Sequence, residues 1–130
     1  MSREILQPPG WARPRGYANG VAAAGRLVFV AGQIGWDAEQ RFASDDFAAQ
    51  VRQALANVVA VLACAGATPA HLVRTTWYVT SRDEYNAALA EVGAAWRELI
   101  GRNFPAMSVV VVAGLLEPRA KVEIEATAVV

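Results

Sequence analysis

Cysteine occurs once in this chain, at Cys64, so an internal disulfide is excluded and a reducing compartment fits. Histidine also occurs once. Any Ser-His-Asp or Cys-His arrangement would have to use His71, which sits in a short turn after Pro69, where a surface or capping role is the plain expectation. Lysine occurs once, at Lys121, and twelve basic residues balance twelve acidic ones. Nucleic-acid binding needs clustered positive charge to neutralise phosphates, and the scattered arginines offer none. Missing too are Gly-x-Gly-x-x-Gly, a Walker loop, Cys-x-x-Cys and His-Glu-x-x-His, so nucleotide, redox and metal chemistry have no motif behind them, and no cofactor is expected.

Long apolar runs are absent as well. "MSREILQPPGW" has no signal-peptide core. The uncharged stretch between Arg52 and Arg74 is broken by Asn57, Gly66 and Pro69, which argues against a membrane span. A cytoplasmic protein is expected.

What the chain has is apolar bulk. Its 130 residues suit one domain, 1–130, and hydrophobic residues make up 55% against 18% charged. A domain of this size has little interior to hide that surplus, which points to apolar surface buried between subunits.

Periodicity outlines the elements. After a lead-in rich in Pro and Gly, strands near Asn19–Ala23 and Leu27–Gln33 read as a hairpin turning at Gly25. Ser44 or Asp45 can cap a helix over Asp46–Ala65, whose Phe47, Val51, Leu55, Val58, Leu62 and Ala65 share one face. Cys64, at its alanine-rich end, reads as a small buried residue. Thr68 and Pro69 open a short turn. A strand follows at Val73–Thr80, with Val73, Thr75, Trp77 and Val79 on one side. "SRDE" resembles a capping box for a second helix with the stripe Tyr85, Leu89, Val92, Trp96 and Leu99, ended by Gly101. In "NFPAMSVVVVAGLL" the uncharged strand Ser108–Ala113 reads as central in a sheet. "KVEIEATAV" alternates, with Glu123 and Glu125 on one side and Val122, Ile124, Ala126 and Ala128 on the other. The order β-β-α-β-α-β-β implies an α+β fold, its sheet covered on one face by two helices.

The residues alone leave the site open. Glu123 and Glu125 fit a solvated outer face, or, if a neighbouring subunit covers that face, a carboxylate with a raised pKa suited to acid-base work. Trp11, Tyr17 and Trp36 fall in loops or at strand ends and suit a pocket wall, an interface or local packing; Trp77 and Trp96 suit the core.

The segments "GYANGV", "VAGQIGWD", "QALANVVAVLACAGA", "VRTTWYVT", "FPAMSVVVV" and "AKVEIEATAV", in this order and spacing, resemble the Rid family, the reactive intermediate deaminases, also known as YjgF-like or L-PSP endoribonuclease-like proteins. The resemblance runs from about Gly16 to Val129. It implies a chorismate-mutase-like fold and a homotrimer whose sheets form a central barrel, with three clefts between subunits. Studied members hydrolyse imines and enamines. In them an arginine after Pro-Ala grips the substrate carboxylate, a glutamate on the last strand handles water, and a tyrosine and a serine line the cleft.

Carried over to this chain, Tyr17 keeps the tyrosine, Gly32 and Gln33 keep the turn, and Glu123 keeps the catalytic carboxylate. Ala31 stands at the serine position, Met107 at the arginine position and Val109 at a position often held by cysteine. Methionine cannot pair with a carboxylate. The standard 2-iminoacid activity is therefore not expected. A cleft lined by Tyr17, Ala31, Gly32, Trp36 and Met107 would prefer an apolar or aromatic compound, with Arg13 or Arg15 as candidate substitutes for the lost cation. The competing expectations are an imine or enamine hydrolase using Glu123, a trimer that binds a metabolite or partner without chemistry, and, as the family's older name suggests, a ribonuclease or translation inhibitor.

Overall fold

The computed structural model describes residues 3–130; Met1 and Ser2, the start of the stretch inspected for a signal peptide, lie outside the described residues. In chain order the elements are β1 (Arg3–Leu6), β2 (Gly20–Ala23), β3 (Leu27–Ile34), α1 (Phe47–Cys64), a 3-10 turn (Pro69–His71), β4 (Leu72–Val79), α2 (Arg82–Ala87), α3 (Leu89–Leu99), β5 (Ala106–Val111) and β6 (Val122–Val129). The main sheet runs β3-β6-β4-β5, antiparallel except for the parallel pair β4–β5. With α1 and α3 packed against one another and α1 laid on β3 and β6, the fold is α+β with its helices on one face.

The helix-covered face is where alternation placed the core. Val122, Ile124, Ala126 and Ala128 of β6 are buried, as are Thr75, Trp77 and Val79 of β4. Val51, Leu55, Val58 and Leu62 of α1 meet them. By length and composition α1 could span a membrane, yet its apolar stripe lies inside this core. His71 does cap: its Nδ1 accepts from the Thr68 backbone N–H at 2.9 Å. Ser81 Oγ accepts from the Glu84 N–H at 3.1 Å, as "SRDE" suggested.

Several expectations are corrected. The lead-in holds strand β1, which pairs with β2, so β2 and β3 do not form the hairpin. After Gly25, at φ 147°, Arg26 exchanges backbone hydrogen bonds with Val130 and feeds β3 onto β6 instead. The cap of α1 is Asp46, whose carboxylate accepts from the Ala49 N–H at 2.9 Å; Ser44 accepts from Asp46, and Asp45 pairs with Arg119. In β4 a register shift between Leu72 and Arg74 puts Leu72 into the core in place of Val73. The second helix breaks at Ala88 (φ −107°, ψ 12°), leaving Leu89 exposed. Cys64 is exposed, because the last turn of α1 carries it off the buried stripe.

The largest correction concerns the valine strand. Residues 106–111 form the edge strand β5, paired only with β4 within the sheet, and Val110 and Val111 are 43% and 49% exposed. Uniform apolarity announced that the strand would be covered; it did not say that this chain would leave one side bare.

Candidate functional site

The parallel register sets Met107 opposite Thr75 and Val109 opposite Trp77, which aims both toward the helices. Met107 packs at the margin of the core rather than inside it. Beside it opens a cavity of ≈ 450 Å³ between β5 and the α2–α3 segment, walled by Tyr17, Trp77, Tyr85, Trp96 and Met107. Tyr17 reaches this wall because Ala18 donates its N–H to Pro105 O at 2.9 Å and bridges to Ala106, laying the preceding residues along the start of β5. Arg15 is the charged residue on the lining.

The walls are aromatic and mostly apolar. Trp77 lies 6.2 Å from Trp96 and meets Tyr85 edge-on at 6.5 Å between ring centres. The Trp77 indole N–H donates to Thr75 Oγ1 at 3.3 Å. The Trp96 indole N–H, also buried, has no acceptor among the described residues. Burial pushes the Tyr85 hydroxyl above its ordinary pKa. Tyr85, Leu89, Val92 and Gly93 were not singled out as site residues from the sequence. Their helical stripe signals a buried face equally well whether a strand or a hollow lies opposite.

The other candidates gather elsewhere. Between Val30 and Gln33 the register of β3 against β6 shifts, with Ala31 and Gly32 in the irregularity. Gly32 packs on Glu123 so closely that a Cβ there would lie 2.3 Å from the carboxylate oxygen. Glu123 alternates with buried Ile124, so it points to the uncovered face of the sheet. Beside it on that face, Tyr78 Oη donates to Glu125 Oε1 at 2.6 Å. This hydrogen bond raises the Tyr78 pKa; partial desolvation and the charges of Glu125 and Glu123 add to it, and Arg74 opposes. Trp36 stands in the loop after β3, its ring 5.8 Å from Phe42 and its carbonyl accepting from Asn57.

Thus one chain brings together Tyr17, Met107 and Arg15, and separately Ala31, Gly32 and Glu123. Met107 faces the helices from edge strand β5, while Glu123 faces away from them on β6, with β4 between. Arg13 lines a neighbouring cavity that shares the Tyr17 wall. Among the described residues no group of three or more His, Cys, Asp or Glu side chains is placed to hold a metal ion.

Residues 12–130 match the family model described as endoribonuclease L-PSP. A RutC family protein of Haemophilus influenzae is 40% identical over 105 residues, 81% of this chain and 80% of that protein. A 2-iminobutanoate/2-iminopropanoate deaminase of Salmonella typhimurium is 36% identical over 129 residues, 99% of this chain and 98% of its own. Among solved structures, the Yersinia pestis protein YyfB, described as a protein of unknown function of the conserved Rid family, superposes with a TM-score of 0.89 at 35% identity, covering all of both chains.

Proposed function

We propose, from the premise that this chain belongs to the endoribonuclease L-PSP family, the Rid or YjgF-like proteins, that it is a homotrimer of single 1–130 domains acting on a small molecule in clefts between subunits. The uncovered sheet face supports assembly. It carries Phe29 at 73% exposure with Leu27 and Val110, more apolar surface than a lone domain keeps without use. Assembly would also resolve the separation seen within one chain. The β5 edge of one subunit, with Tyr17 and Met107, would meet the Ala31–Gly32 irregularity and Glu123 of the next, with Trp36 near the rim.

The reaction that suits such a cleft is hydrolysis of a C=N bond. Water adds through its oxygen to the imine carbon while the Glu123 carboxylate accepts a water proton. That proton passes to nitrogen, giving a carbinolamine; the carboxylate then takes the hydroxyl proton and returns it to the same nitrogen as the C–N bond breaks, so that a carbonyl compound and an amine leave. The observation that carries the choice of substrate is Met107, in place of a cation, on an aromatic wall whose one charged lining residue, Arg15, is exposed on the segment before Tyr17. A buried substrate carboxylate left unpaired there would be costly. We therefore assign an apolar or aromatic imine, and not the 2-iminobutanoate named for the Salmonella relative. An acceptor atom on the ligand would satisfy the orphaned indole N–H of Trp96. The single cysteine, Cys64, supports a cytoplasmic setting.

An imine-hydrolysis screen with aliphatic and aromatic amines tests this. Turnover of an aromatic imine that is lost in Glu123→Gln is expected, and 2-iminoacid turnover should appear only in Met107→Arg. Wild-type preference for 2-iminoacids would overturn the substrate assignment. A second reading, ligand binding without chemistry, is favoured by Glu123 lying off the Met107 cavity within one chain; specific turnover abolished by Glu123→Gln excludes it. Light scattering that reports a monomer would remove the cleft altogether.

A further inference from the structure

Outside the Met107 cavity lies a second one of ≈ 490 Å³, walled by β1, the Pro-rich segment before Tyr17 and the loop after α3. Three arginines line it, Arg3, Arg13 and Arg102, together with Trp11, Tyr17 and Phe104, and no acidic residue does. This is an unusual concentration of one sign in a chain whose formal net charge is zero. The arginines are not equivalent. Arg3 is engaged by backbone, donating through Nη1 to the carbonyls of Ala70 and Leu72. Arg13 and Arg102 enter none of the ion pairs among the described residues, where Arg41, Arg52 and Arg119 each have a carboxylate. The aromatic residues are also uncommitted. Trp11 is 62% exposed, Tyr17 39% and Phe104 37%. A planar guanidinium fork matches a carboxylate edge to edge, and exposed rings offer a surface on which a flat apolar body stacks.

We infer that this arginine-lined cavity is a binding site for a planar aromatic carboxylate, held by Arg13 and Arg102 at its charged end and by Trp11 and Phe104 along its ring. The volume lies within the range of small-molecule sites. Arg3, tethered to β4, gives the cavity a fixed positive wall. Tyr17 forms a wall of both cavities, so the two sites adjoin without being one: one is lined by three arginines, the other by mostly apolar and aromatic side chains with Arg15 alone charged. The inference does not rest on the hydrolase proposal, because it needs neither Glu123 nor Met107.

The test is a titration of the full chain with sodium 1-naphthoate, followed by the indole N–H signals of the tryptophans, with Trp11 assigned through Trp11→Phe. A saturable shift of the Trp11 signal is expected. Arg13→Gln with Arg102→Gln should weaken the affinity by about tenfold or more, the scale of losing charge-assisted hydrogen bonds. The neutral 1-naphthamide should leave Trp11 in place. Both arginines are exposed, and the dispersion of the same spectra reports whether the double variant folds. Equal shifts with naphthoate and naphthamide would show ring adsorption alone and overturn the inference. Shifts of Trp77 and Trp96 with Trp11 fixed would assign the ligand to the Met107 cavity, overturning this inference and leaving the proposed function standing. Absence of a saturable shift also overturns it.

Discussion

Two glycines three residues apart meet almost the same obstacle with opposite expected consequences. A Cβ on Gly32 would lie 2.3, 2.7 and 2.8 Å from Oε2, Cδ and Cγ of Glu123. A Cβ on Gly35 would lie 2.6, 2.7 and 2.8 Å from Cβ, Cα and Cγ of Gln50. At Gly32 the obstacle is the far end of a flexible side chain on the uncovered face. Ordinary contact begins at 3.4 Å, so the carboxylate must retreat by about 1 Å. A forced rotamer costs on the order of 0.5–1.5 kcal/mol, and replacing glycine returns about 0.4–1 kcal/mol through the unfolded chain. Gly32→Ala should therefore change stability by less than about 1 kcal/mol. At Gly35 the obstacle includes the backbone of α1, and Gln50 is 1% exposed. Its amide is fully committed, donating to Ser44 O and Arg119 O and accepting from the Lys121 N–H. Overpacking costs about 1–3 kcal/mol, and one broken buried hydrogen bond adds about 1–3 kcal/mol. Gly35→Ala should lose about 2 kcal/mol or more, which at roughly 4 °C per kcal/mol is a drop in Tm of about 8 °C. Circular-dichroism melts at one fixed protein concentration measure both. Yet under the proposed imine hydrolysis, Gly32→Ala should be the more damaging to kcat/KM relative to its stability loss. A 1 Å displacement of a reacting group can cost about a hundredfold. Equal melting losses in the two variants would refute the distinction between side-chain and backbone obstacles.

Other outcomes follow from single contacts. Leu55→Ala empties a core position that is 1% exposed and should cost about 2–5 kcal/mol in urea unfolding. Asp46→Ala removes the carboxylate that caps α1 and should cost about 1 kcal/mol by the same assay. Tyr78 carries a pKa raised above 10.0 by its bond to Glu125. Its contribution is thus complete below pH 10 and is lost as pH rises through the raised value. Tyr78→Phe should lose one late component from the ultraviolet phenolate titration and should lose less stability than wild type across that alkaline window.

Where a residue's environment is set by its immediate neighbours in the chain, the sequence was legible. The β6 alternation marked Val122, Ile124, Ala126 and Ala128 as core, and all four are buried. Ser81 caps as the spacing of "SRDE" indicated, and His71, for which the short turn left a surface or a capping role open, accepts from Thr68, since a cap is a contact across three residues. The cap of α1 was one residue off because Ser44, Asp45 and Asp46 all have suitable side chains, and the backbone conformation at Asp46 decides among them. Strand partners were not legible. Nothing local distinguishes β1 or β3 as the partner of β2, nor an edge from a central place for the valine run, because an apolar strand looks the same whichever surface finally covers it.

The same division holds for the site. By itself the sequence determined which chemistry this chain carries: a single histidine and cysteine, a glutamate alternating with core residues on the last strand, and an uncharged "PAM" where the family resemblance expects a cation. Only the tertiary structure decided where those groups stand. The parallel register of β4 with β5 turned Met107 toward an aromatic cavity, and the alternation of β6 turned Glu123 to the opposite face. The lead-in folded into a wall of arginines and rings that no periodicity announced. Side-chain identity travels with the chain; a side chain's neighbours depend on strand order and register, which are fixed by contacts between residues far apart in sequence.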